Sequence, residues 1–173
     1  MKINLEKFSF LKLCLNQFNS AMKLDQKDLQ ILKHLQKDSK MTNKEISNKL
    51  ELSVTAVFER IKRLEREGVI ANYVALISPE KVEKGFMVFC QIKLIQHSRS
   101  FLTKFEAEVK KLSEVLECYH VSGEYDYILK VLVKDVEAYR EFMVTKLTNL
   151  DHIGSTQSTF IISPVKSTTA VPL

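Results

Sequence analysis

From residue 25 the apolar positions follow a helical rhythm, and from residue 86 they follow a strand rhythm. The chain therefore reads as two differently built halves. Leu29, Leu32 and Leu35, with Ile31, predict a helix over about Asp25–Asp38. Asp25 is a good N-cap for it, and Asp28 adds negative charge to its first turn. Thr42-Asn43-Lys44-Glu45 is a capping box that opens a second, short helix with Ile46 and Leu50 inward. Leu52-Ser53 makes a turn, and Ser53 caps a third helix whose inner side is Val57, Ile61 and Leu64, spaced i, i+4, i+7. Gly68 ends that helix, because glycine tolerates the left-handed cap. Val69 to Ala75 reads as a short β-wing, broken by Ser78-Pro79-Glu80-Lys81.

The second half alternates strands with helices. Phe86 to Leu94 is a strand with Phe86, Val88, Cys90, Ile92 and Leu94 on one side. Phe101 to Leu112 is helical, Val115 to Ser122 and Tyr127 to Val133 are strands, Val136 to Leu147 is a helix, and Ile153 to Lys166 is the last strand. The order β-α-β-β-α-β is the ferredoxin-like split motif, with both helices on one face of an antiparallel sheet. The fold class is thus α+β, a winged helix-turn-helix followed by a ferredoxin-like domain. The other sheet face also carries apolar side chains and needs a cover, for which a second copy of the same sheet is the simplest candidate. The expected division is an N-terminal extension over 1–21, a DNA-binding domain over 22–75, a hinge over 76–85 and a ligand-binding and oligomerisation domain over 86–173. Residues 1–21 read either as an amphipathic helix through Phe8, Leu11, Leu15 and Phe18, or as an extension ahead of a natural start at Met22.

Charge sharpens this picture. The net charge is +5, and residues 23–75 hold eleven bases against eight acids, whereas residues 76–173 hold twelve of each. The basic surplus lies in the N-terminal part, where phosphates would be met, and is modest enough that a multimer should bind DNA far better than a monomer. Cys14, Cys90 and Cys118 form no CxxC pair and show no zinc spacing with histidine, which fits buried thiols in a reducing cytoplasm. No metal or cofactor is expected. No apolar run approaches the ~20 residues of a membrane helix, and FSFLKLCL lacks a signal-peptide cleavage site. G-x-S-x-G, HExxH, P-loop and GxGxxG signatures are absent, so no catalytic residues are assigned.

The third helix carries the chemistry. Ser53, Thr55 and Ala56 lie at its N-terminal end, where a reader helix meets base edges. Arg60 and Arg63 project further along and can reach guanine or phosphate, Lys62 and Arg66 suit phosphates, and Glu59 either accepts from cytosine or steers Arg63. In the second half, Ser122-Gly123-Glu124-Tyr125-Asp126-Tyr127 joins two strands. It reads as a plain β-turn, or as a place where backbone groups beside Asp126 hold an α-amino and α-carboxyl group.

The segments LDQKDLQILKHLQKDSKMTNKEISNKLELS, RIKRLEREGVIANYVALISP, ECYHVSGEYDYILKV, AYREFMVTKL and TTAVPL together resemble the Lrp/AsnC (feast/famine) family of transcription regulators over about Lys23–Leu173. The resemblance implies a winged helix-turn-helix, a hinge strand, and a regulatory domain that dimerises through its sheets and assembles into tetramers or octamers. It also implies an amino-acid effector bound between dimers. By position, His120, Gly123, Asp126, Thr159, Phe160 and Ile161 match the effector region, and Glu124 replaces the first acid of the family's G-D-x-D pattern. Val54 stands where many members have proline. The expectation is a cytoplasmic, nucleoid-associated regulator that binds double-stranded DNA under amino-acid control. The rival is an architectural DNA-binding protein without effector. A tetrapyrrole decarboxylase, similar to this family in fold, would need a basic and histidine cluster that His120 alone does not supply.

Overall fold

The computed structural model describes residues 23–96 and 98–173. The expectations for residues 1–22, including the amphipathic helix, the start at Met22 and Cys14, lie outside the described residues. The chain divides into two compact units. One ends at Val74 and takes in Thr168–Leu173, and the other is Ala75–Ser167.

The first unit is built from α1 (Gln26–Lys37), α2 (Asn43–Leu50) and α3 (Val54–Arg66). Local chemistry sets each start. The Asp25 and Thr42 side chains accept from the backbone N–H of Asp28 and Glu45, and each of those acids reaches back to the cap's own N–H. Ser53 accepts from the Ala56 N–H at 3.1 Å. The Lys27 ammonium donates to the Leu50 carbonyl, closing the C-terminal end of α2. Ile31, Leu32, Ile46, Leu50, Val57, Ile61 and Leu64 form the buried core. Gly68, at φ +70°, lets the chain leave α3 while Val69 and Ile70 N–H groups both donate to the Leu64 carbonyl. Behind α1, Gln36 and Val171 exchange two hydrogen bonds, which fix the C-terminal residues on this unit.

The buried stripe of α1 is centred one residue earlier than the leucine spacing suggests. Asp28, Ile31 and Leu32 are buried and Leu29 is only half-buried, so a carboxylate occupies a core position. The expected wing does not form a strand. Val69 to Ala75 has no strand partner among the described residues, and Tyr73, Val74, Leu76 and Ile77 are exposed.

The second unit is a four-stranded antiparallel sheet of β1 (Phe86–Leu94), β2 (Val115–His120), β3 (Tyr127–Val133) and β4 (Ile153–Phe160), in the order β2-β3-β1-β4. Helices α4 (Arg99–Val109) and α5 (Val136–Phe142) cover one face. Their Phe105, Val109, Tyr139 and Phe142 pack on Val88, Cys90, Ile92, Leu129 and Val131. The helix expected over 136–147 changes to a π-helical turn at Met143–Leu147. β4 ends at Phe160, not Lys166. The last paired residues are Val88 and Phe160, and beyond the Ile161 N–H bond to Met87 only Phe86 of β1 remains, so the chain has almost no strand left to pair with. On the uncovered face the register places Met87 beside Leu132, Phe89 beside Lys130 and Gln91 beside Ile128.

Candidate nucleic-acid interface and effector region

The outer side of α3 follows from its core side. With Val57, Ile61 and Leu64 buried, helical periodicity turns Thr55, Phe58, Glu59, Lys62 and Arg66 to solvent. Ser53 caps the helix from its own side chain, and Thr55 and Ala56 follow in the first turn, where the free backbone N–H groups and the positive end of the dipole favour phosphate. Lys62 pairs with Glu65 at 2.9 Å, and Arg66 reaches Glu67 at 3.1 Å. Both pairs are exposed, so they exchange readily with water or phosphate.

Arg60 and Arg63 stand differently. The Arg60 guanidinium donates to Asp25 at 2.6 Å and to Asp28 at 2.7 Å. The Arg63 guanidinium donates to both oxygens of Asp28 at 2.7 Å, and its Nε is buried. Asp28 itself is fully buried. The two arginines expected to reach guanine are therefore clamped to α1 in this structure. The clamp shows in the titration of its exposed members. The Asp28 N–H and then Arg60 hold the Asp25 carboxyl below its usual range, and Asp25 and then Asp28 push the Arg60 guanidinium up. A buried acid between two arginines was not readable from spacing, because Asp28 also fits the first-turn charge pattern of any helix.

The hinge side is tied to α3 through Tyr73, whose hydroxyl donates to Glu65 at 3.1 Å. Partial desolvation of the hydroxyl, then that bond, pushes the half-exposed Tyr73 phenol up to about 12.

In the second unit a cleft of about 730 Å³ opens at the β2–β3 turn, lined by Gln91, His120, Val121, Ser122, Glu124, Tyr125 and Ile128. That volume suits a small ligand. His120 stacks on Tyr127 with ring centroids 4.8 Å apart, and Gly123 takes φ +137° at the turn. The Tyr125 hydroxyl donates to Gln157 at 2.5 Å. Gln91, Val121, Ser122, Tyr125 and Ile128 were not assigned from the sequence; only Ser122 and Tyr125, inside the turn segment, carried a signal. Asp126 is buried next to the cleft-lining Tyr125, and its Oδ2 accepts from the Leu94 N–H at 2.9 Å while its N–H donates to the Ile92 carbonyl. It joins β3 to the end of β1.

Thr159, Phe160 and Ile161 do not reach this cleft. Thr159 pairs with Phe89, Phe160 pairs with Val88 and packs its ring on Phe86 and Tyr139, and Ile161 bonds Met87. They lie beside Phe89, Val88 and Met87 while Asp126 lies beside Ile92–Leu94, roughly 13–20 Å away along β1 at ~3.3 Å per residue. One chain thus presents the expected effector residues as two separate sets.

Comparison with known proteins agrees with both units. Residues 87–171 match the family model described as the Lrp/AsnC ligand binding domain, and residues 24–71 match one described as winged helix-turn-helix DNA-binding. The leucine-responsive regulatory protein of Salmonella typhimurium is 39% identical over 143 residues, covering 83% of this chain and 87% of that protein. The Haemophilus influenzae protein of the same name is 38% identical over 145 residues, with 84% and 87% covered. A transcriptional regulator from Neisseria meningitidis, solved as its L-Met complex, superposes with a TM-score of 0.83 at 34% identity, covering 87% of this chain and 97% of that one. An AsnC family regulator from Agrobacterium tumefaciens gives 0.82 at 36% identity, with 86% and 97% covered.

Proposed function

The chain belongs to the Lrp/AsnC family of transcriptional regulators, and from that premise we propose that the outer face of α3 binds the DNA major groove while an amino acid at the β2–β3 cleft controls assembly. The protein is a sequence-specific DNA-binding regulator whose activity an amino-acid effector modulates. The relatives named for leucine and the regulator solved with L-Met support that effector class. The observation that carries the reading is the division of labour on α3. One side packs the core, one side is clamped to α1, and the remaining side presents Thr55, Glu59, Lys62 and Arg66 to solvent.

Contacts to DNA are assigned as follows. Ser53, Thr55 and Ala56 meet the backbone and base edges at the helix start, Lys62 and Arg66 meet phosphates, and Glu59 selects at a base edge. Arg60 and Arg63 position the helix. The effector's charged groups are received at the cleft by His120, Glu124 and the turn at Gly123, with Asp126 holding the turn in place. Thr159, Phe160 and Ile161 of a second copy complete the pocket, which explains why one chain separates the two sets. Copies pair through the sheet face bearing Met87, Phe89, Ile128 and Leu132, and dimers join further into tetramers or octamers. The exposed segment around Tyr73 to Ile77 supplies a strand that pairs with its counterpart in the partner.

An effector changes DNA affinity only if it prefers one assembly over another. The test is fluorescence anisotropy on the protein's own promoter and on a scrambled duplex, with and without each amino acid. Sedimentation is run in parallel. The reading expects a preference of at least about tenfold for the promoter and one amino acid that shifts both affinity and mass. Equal affinity for both duplexes would remove the specific-regulator reading. Specific binding that no amino acid alters would favour an architectural protein.

A further inference from the structure

Phe58 is out of place for a packed helix. Its side chain is 42% exposed in the second turn of α3, although Val57, Ile61 and Leu64 already fill the core-facing positions. Val54, one turn earlier on the same side, is 47% exposed. The two make an apolar strip along the N-terminal half of a basic helix. The Lys62 ammonium stands 5.8 Å from the Phe58 ring centroid, within cation–π range, so the strip is bordered by a phosphate-seeking charge. Meanwhile Arg60 and Arg63, which could otherwise read guanine, are bound to Asp28.

The major-groove edges of the bases offer one apolar group, the C5-methyl of thymine, and phenylalanine is among the side chains that contact it. The N-terminal half of a reader helix is the part that reaches base edges. We infer that Phe58 is a specificity-determining residue that packs its ring on a thymine methyl, with Val54 beside it and Lys62 on the neighbouring phosphate. The inference rests on the reading of α3 as the DNA-binding helix. It turns the expected code of this surface from arginine–guanine to aromatic–thymine.

The test begins by selecting duplexes from a random library with the full-length protein. Each thymine of the enriched site is then replaced singly by deoxyuridine, which keeps the pairing and removes only the methyl. Wild type is expected to lose about fourfold in affinity at one thymine per half-site, the effect of roughly 0.8 kcal/mol per buried methyl at about 1.4 kcal/mol per factor of ten. Phe58→Ala should be indifferent to that replacement, and Phe58→Leu should keep part of the discrimination. Uniform tolerance of deoxyuridine by wild type, which involves no variant, overturns the inference. So does identical discrimination in wild type and Phe58→Ala. Loss of self-association in Phe58→Ala with an unchanged deoxyuridine profile overturns it in favour of a contact between copies. Failure of wild type to enrich any sequence is a different result, and removes the reader-helix assignment itself.

Discussion

Replacing Asp28 by asparagine separates the two roles open to Arg60 and Arg63. The Asp28 carboxylate is fully buried and accepts three arginine contacts at 2.7 Å, together with the Asp25 N–H at 3.1 Å. Removing one partner of a buried ion pair costs about 3–5 kcal/mol, because the other charge is left behind. Here the Arg60 and Arg63 side chains keep 27% and 38% of their exposure, so water recovers part of the loss. The asparagine oxygen also retains the bond from Asp25. The expected cost is therefore about 2–4 kcal/mol. At about 4–8 °C per kcal/mol for a small domain, the helical unit should melt on the order of 8–32 °C lower. Far-ultraviolet circular dichroism in urea and on heating reads this directly. Anisotropy on random duplex, at a temperature where the variant is folded, reads the consequence for DNA. If Asp28→Asn is as stable as wild type and binds DNA more tightly with a steeper salt dependence, the arginines are DNA ligands and the clamp is not structural.

Lys62→Ala and Arg66→Ala should stay within about 0.5 kcal/mol of wild-type stability, and each should lower the slope of log K against log salt by about 1. Arg60→Ala should show the reverse pattern, checked by the same two titrations. Asp25 and Glu45 titrate below their usual ranges, each chiefly through a backbone N–H of its capping box. Their stabilisation is thus complete above the unfolded carboxylate range near about pH 4 and is lost as the pH falls through the lowered folded values. Urea midpoints measured on acidification should fall in that window, less steeply for Glu45→Gln. Burial pushes the Cys118 thiol up to about 11, so its alkylation should be slow near neutral pH and rise about tenfold per pH unit, read by mass spectrometry. Gly68→Ala, which puts a side chain at φ +70°, should cost about 1–2 kcal/mol in urea unfolding.

Elements with a self-contained local code were the most legible. The caps at Asp25, Thr42 and Ser53 announced three helices, and strict alternation gave both ends of β1 and β3. What failed depended on partners distant in sequence. Asp28 reads as a surface acid until Arg60 and Arg63, more than 30 residues away, fold over it. The length of β4 is set by where β1 begins, which no property of Ser163 or Val165 reveals. The segment 69–75 has strand-like composition, but an unpaired stretch cannot be a strand within its own chain. The candidate DNA surface was half legible. Its basic residues were evident, yet which of them are free to leave the protein is a matter of ion pairing, and Phe58 drew no notice in the sequence. The residues expected to receive the effector fall into two sets spaced along β1, and that spacing follows only from the sheet register.

The central claim is that the solvent face of α3 lies against a duplex. A photo-crosslinking amino acid placed at Thr55, with Glu137 on α5 as a control position, tests it most directly on the full-length protein and its selected duplex. The account predicts a covalent protein–DNA adduct from position 55, mapped to the major-groove edge of the site, and none from position 137. An adduct from 137 with silence at 55, under conditions where both variants bind, would contradict it.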